Sequence, residues 1–224
     1  MSCKPKMRGA IVPVTPFQQN CAILWDEATM RAMVVDPGGD VPQIMAAIEQ
    51  TGVTVERILL THGHLDHAGG AAELAATLSE WSVAAGLGPI PIEGPDQRDQ
   101  FLLDGIADQA AQFGFAARNV TPDRWLTEGD KIALGSHVFE ALHCPGHTPG
   151  HLVYVNHAAK FVLMGDVLFQ GSIGRTDFAY GDHAALIDAI KTKLLPLGDD
   201  YSFMCGHGPG STIGAERAGN PFLQ

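Results

Sequence analysis

The densest chemistry in the chain lies in His62-Gly63-His64-Leu65-Asp66-His67, three imidazoles and a carboxylate within six residues. Residues two apart on an extended strand end share a face, so His62 and His64 can grip one ion. If the chain then bends, Asp66 and His67 reach a neighbouring position, and Gly63 with Gly69-Gly70 leave the backbone room to do so. Imidazole and carboxylate suit zinc, iron or manganese, whereas calcium asks for oxygen donors. Taken alone, the window could also be a histidine-rich surface loop, since the chain has ten histidines.

Three later segments argue against a mere loop. Leu142-His143-Cys144-Pro145-Gly146-His147 carries a histidine into a turn after a strand, Phe161-Val162-Leu163-Met164-Gly165-Asp166 delivers an aspartate, and Phe203-Met204-Cys205-Gly206-His207 a further histidine. An aspartate emerging from an apolar strand is expensive to desolvate without a partner, and a cation is a natural one. Four strand-end loops bearing such donors are what a metal site on an α/β scaffold requires.

The elements that must position them alternate. Cys21–Trp25 and Ala32–Val35 read as strands, the second stopped by Asp36-Pro37-Gly38-Gly39. Val41, Ile44, Met45 and Ile48 have the spacing of an amphipathic helix. A strand over Val55–Leu60 runs into the histidine window, and Ala71–Leu78 is helical. Residues 82–100 are rich in glycine and proline, and Gln97–Phe113 follows as a helix; an inserted loop plus helix is expected at about 82–116. Short strands then dominate (Lys131–Leu134, Val138–Leu142, Leu152–Val155, Phe161–Met164), before a helix over His183–Leu195 and a last strand, Ser202–Cys205. Strands separated by helices in two successive halves imply layered α/β with the helices outside.

Composition narrows the function classes. The 224 residues carry 14 Lys and Arg against 25 Asp and Glu, a net charge of −11 that disfavours nucleic-acid or anionic-membrane binding. No apolar run is long enough to span a bilayer, and the N-terminus lacks a signal-peptide centre. Cys3, Cys21, Cys144 and Cys205 are scattered with no Cys-x-x-Cys pair, so a reduced, cytoplasmic setting is expected. Cys144 and Cys205 read as small buried residues near strand ends, and His137, His157 and His183 as surface or helix-start residues.

Thr61-His-Gly-His-Leu-Asp-His-Ala-Gly-Gly70 resembles the His-x-His-x-Asp-His signature of the metallo-β-lactamase superfamily, and His147, Asp166 and His207 match its remaining metal positions in order. His143-Cys-Pro-Gly-His-Thr-Pro-Gly-His151, Gly165-Asp-Val-Leu-Phe169, Gly174-Arg-Thr-Asp-Phe178 and Gly206-His-Gly-Pro209 are similar to the glyoxalase II-like branch, the hydroxyacylglutathione hydrolases, in a short form without the C-terminal helical domain. The resemblance implies one αββα domain over 1–224, two mixed β-sheets flanked by outer helices. It implies two divalent ions, zinc first with iron or manganese as substitutes. His62, His64 and His147 would hold one ion, Asp66, His67 and His207 the other, with Asp166 bridging.

The implied reaction is hydrolysis of S-D-lactoylglutathione to D-lactate and glutathione, part of methylglyoxal detoxification, by a hydroxide shared between the ions. Asp66 would orient that nucleophile, and His151 could support the metal site from behind. Arg175 stands where longer relatives carry a lysine that contacts glutathione, although their tyrosine two residues on is Asp177 here. A small glutathione conjugate is therefore the expected partner, with no nucleic acid, membrane or protein partner evident. The alternatives are a mononuclear-iron persulfide dioxygenase, which shares the histidine window and Gly-Arg-Thr-Asp-Phe, and a lactonase or other small-ester hydrolase on the same metal site.

Overall fold

The computed structural model describes residues 6–224; Cys3 lies outside them. The elements run β1 (Met7–Val14), β2 (Gln19–Asp26), β3 (Arg31–Val35), α1 (Val41–Thr51), β4 (Thr54–Leu59), α2 (Leu65–Ala68), α3 (Ala71–Ala84), β5 (Ile92–Glu93), α4 (Gln100–Leu103) and α5 (Ile106–Gln112). The second half follows with β6 (Lys131–Leu134), β7 (His137–His143), β8 (Leu152–Asn156), β9 (Phe161–Gly165), β10 (Leu168–Phe169), β11 (Ser172–Ile173), α6 (His183–Ala189), β12 (Ser202–Cys205), β13 (Ser211–Thr212) and α7 (Ile213–Gly219). One sheet has the order β1-β2-β3-β4-β5 and the other β13-β12-β9-β8-β7-β6, each mixing parallel and antiparallel pairs.

Three apolar cores make these elements four layers. In β2 and β3, Ala22, Leu24, Met33 and Val35 turn toward the other sheet, meeting Phe139, Leu152, Tyr154 and Leu163. The intervening Ile23, Ala32 and Val34 pack on Ile44 and Ile48 of α1 and Leu74 of α3. In β8 the same alternation sends Val153 and Val155 toward Leu186 and Ile190. Period-two side chains buried on both faces produce the expected αββα sandwich, because each sheet has an outer helical layer and an inner sheet to cover.

Departures from the sequence pattern have local causes. β1 was not legible as a strand: it is an edge strand with alternate residues exposed, and Pro13 is tolerated there. The stretch 82–100 is not wholly a loop, since α3 continues to Ala84 and β5 adds an edge to the first sheet through its pairing with β4. The single helix expected over Gln97–Phe113 is broken, with a 3-10 turn at Gln97–Asp99 and a break between α4 and α5 at Asp104-Gly105. The helix from His183 gives way to a π turn at Ile190–Leu194 and a 3-10 turn holding Pro196. His137 is not a surface residue: only 10% of its side chain is exposed, beside the buried Asp26.

Candidate metal centre

Strand ends build the centre. Beyond β4 come His62 and His64, with Asp66 and His67 on the short α2; beyond β7 comes His147, beyond β9 Asp166, and beyond β12 His207. These seven side chains converge at one edge of the sandwich. His64 Nδ1 lies 3.1 Å from His62 Nε2 and 3.0 Å from His147 Nε2. Beside them, His207 Nε2 lies 3.2 Å and His67 Nε2 3.9 Å from Asp66 Oδ2. Within each trio, the donor atoms lie within 4.8 Å of one another. Asp166 stands between the trios, its Oδ1 3.4 Å from His67 Nε2 and its Oδ2 3.6 Å from both His147 Nε2 and His207 Nε2.

Each imidazole has its other nitrogen engaged. His67 Nδ1 donates to Asp36 Oδ2 at 2.9 Å, His147 Nδ1 to the Arg175 carbonyl at 2.8 Å and His207 Nδ1 to the Phe17 carbonyl at 3.2 Å. His62 Nδ1 meets Thr61 Oγ1 at 3.0 Å, and that hydroxyl donates onward to Asp36 at 2.6 Å. His64 Nε2 meets the Tyr180 hydroxyl at 2.8 Å. Such bonds orient each ring with its remaining nitrogen aimed inward. His151 lies behind: its ring stacks on His62, and its Nε2 accepts from the Asp166 amide at 3.0 Å.

Electrostatics divides the cluster. Burial, reinforced by the other imidazoles, holds His62 and His151 well below the usual histidine range, and burial with His147 nearby lowers His64 to about 3. His147 is lowered mainly by burial too. At His67 burial also disfavours the cation, but the carboxylates of Asp166 and Asp66 outweigh it and raise the pKa well above normal. Asp166 is held far below the carboxylate range despite burial, because His67 faces it. The neutral His62, His64 and His147, beside two ionised carboxylates, form a donor set for divalent cations. His67 Nε2 and Asp166 Oδ1, which face each other in the centre, are buried without hydrogen-bond partners, as donors to a cation would be.

A cavity of about 770 Å³ opens onto the centre. Phe17, Phe113, Phe169, Phe178 and Tyr180 give it aromatic walls, and Arg175 is the one Lys or Arg lining it among the described residues. The Arg175 guanidinium stacks over Phe178 at 4.5 Å and is bound by Asp177 through contacts of 2.7 and 2.8 Å. Cys144 and Cys205 are buried, and burial pushes their thiols up to about 12 and 11.

The seven side chains singled out from the sequence lie together, and sequence reasoning missed residues that hold them. Asp36 bonds Thr61 and His67, and it ends β3 just as Asp166 ends β9, the signal that could have found it. Asp99 was missed as well, buried and holding three hydrogen bonds; burial raises its carboxyl to about 6 against their pull. The bond of the Tyr180 hydroxyl to His64 had no signal in the sequence.

The model of the metallo-β-lactamase superfamily matches residues 14–207. The chain belongs to that superfamily, and it is a metallohydrolase. It is 45% identical to the hydroxyacylglutathione hydrolase GloC of Haemophilus influenzae, over 97% of this chain and 98% of that one. Among solved structures it is similar to the BLEG-1 B3 metallo-β-lactamase, at 34% identity and a TM-score of 0.84 over 96% of this chain and 99% of the other. It is also similar to TTHA1623 in a di-iron-bound form, at 35% identity and a TM-score of 0.80 over 96% and 100%.

Proposed function

We propose that the protein hydrolyses glutathione thioesters, with S-D-lactoylglutathione as the substrate and D-lactate and glutathione as products. The observation that carries this reading is the convergence of five imidazoles and two carboxylates at the floor of an open cavity. Similarity to a hydroxyacylglutathione hydrolase along nearly the whole chain supports the substrate class. His62, His64 and His147 would hold one divalent ion and Asp66, His67 and His207 a second, with Asp166 shared; zinc is the first choice, and iron suits the same donors. Such a pair, when bound, supplies a water with pKa near 7 and polarises the thioester carbonyl.

The chain's own groups do the rest. Asp66 accepts a hydrogen bond from the nucleophilic water and orients it toward the carbonyl carbon. The aromatic walls hold the acyl-thioester, and Arg175 meets a glutathione carboxylate once Asp177 yields part of its pairing. A thiolate leaves without needing a strong general acid. The reading takes residues 1–224 as one domain with an inserted segment at about 82–116. It sets the work in methylglyoxal detoxification in the cytoplasm, which three buried free thiols support. No helix among the described residues is long and apolar enough to cross a membrane.

The test is an assay of the purified protein on S-D-lactoylglutathione, with glutathione persulfide and a β-lactam in parallel, alongside elemental analysis. Thiol release with about two metal ions per chain is expected. Oxygen consumption on the persulfide with a single iron would assign the dioxygenase reaction instead, and β-lactam turnover without thioester turnover would move the substrate class.

A further inference from the structure

We infer that Asp99, carried by the segment inserted before the second half of the chain, is a positioning residue for one half of the metal centre: the His62, His64 and His147 trio. The inference rests on the two-metal reading and deepens it. Those three donors come from two loops of different sheets, one after β4 and one after β7, so some group must hold the loops in register.

Asp99 meets both loops at once. Its Oδ2 accepts from the amide of Gly63, between His62 and His64, at 3.0 Å, and from the hydroxyl of Thr148, next to His147, at 2.7 Å. Its Oδ1 accepts from the Gly150 amide at 2.5 Å. Asp99 and Thr148 are fully buried, so water cannot substitute. The segment also packs directly on both backbones. A Cβ at Gly63 would stand 2.8 Å from that of Leu102, and one at Gly150 would stand 2.7 Å from Asp99 N and 2.8 Å from its Cγ. None of the Asp99 hydrogen bonds reaches Asp66, His67 or His207. The expected consequence is one-sided: loss of the Asp99 bonds loosens the first trio and leaves the second intact.

The test is chelator competition on the zinc-loaded protein, with melting of the metal-free form as a control for mere loss of packing. D99N places an amide N–H₂ where an oxygen accepted, and its weaker-held ion is expected to leave at about tenfold lower chelator concentration than from the unaltered chain. The same shift is expected in a D66A background, where the first trio holds the remaining ion. T148V removes one donor of three and keeps a folded protein available if D99N fails to fold; a shift of about threefold in the same direction is expected. Equal weakening of both ions, or unchanged zinc retention with only a lower melting temperature, would overturn the inference. Uptake of fewer than two zinc ions by the unaltered chain would sink the two-metal reading, and the inference with it.

Discussion

Asp26 and Asp166 are both buried carboxylates at strand ends, and they stand at opposite ends of the sandwich. β2 starts at the centre, where Gln19 Nε2 lies 3.5 Å from His67 Nδ1, and reaches Asp26 after seven residues, about 23 Å away. Asp26 accepts from the amides of Ala28, Thr29 and Ser136 and from the Ser136 hydroxyl, at 2.8 to 3.2 Å. Those bonds tie the turn after β2 to the β6–β7 hairpin, one sheet to the other. Asp166 has an oxygen with no hydrogen-bond donor and three imidazole nitrogens within 3.6 Å. The difference teaches how to tell a structural acid from one aimed at a cation. Both are desolvated, but only the first is saturated by donors of its own chain.

Substitution at each acid should separate these roles. Asp166→Ala is expected to lower thioester turnover by at least about a thousandfold, with loss of bound metal seen by elemental analysis. Near-normal turnover and metal content would place Asp166 with Asp26 as a structural group. Asp26→Ala should do the reverse: calorimetric stability falls by about 2 kcal/mol, as buried amides lose their acceptor, while turnover per folded molecule is unchanged. A catalytic defect there would erase the contrast.

The smallest expected effect is a pH dependence. The Ser136 bonds lower the Asp26 pKa to about 2. A carboxyl with a depressed folded pKa contributes stability above its unfolded value, near 3.9, and loses it as pH falls toward the folded one. The stability difference between the unaltered protein and Asp26→Asn, measured metal-free, should therefore shrink between about pH 4 and pH 2. A gap that stays constant over that range would mean that Asp26 does not carry the charge.

The Asp166 side of this contrast was legible in residue order, and the Asp26 side was not. Apolar runs ending in His or Asp identified the strand ends, because a short apolar strand with a donor at its tip has few other uses. Alternating strand and helix signals implied layered α/β with outer helices, and the four-layer order came with the resemblance to the superfamily. What escaped was set by tertiary approach. The partners of Asp99 lie 36, 49 and 51 residues away in the chain, so no local pattern announces them. Asp26 and Ser136 are 110 residues apart. β1 and β5 were hidden because edge strands need only one paired side, and Asp177 read as a departure from the longer relatives before its side chain was seen on Arg175.

Zinc titration of the metal-free protein, followed by desalting and elemental analysis, probes the claim that these loops form a binuclear centre. Two equivalents retained per chain are expected, with Asp166→Ala retaining at most one. Retention of less than one equivalent by the unaltered chain, or the same uptake by Asp166→Ala, would contradict it.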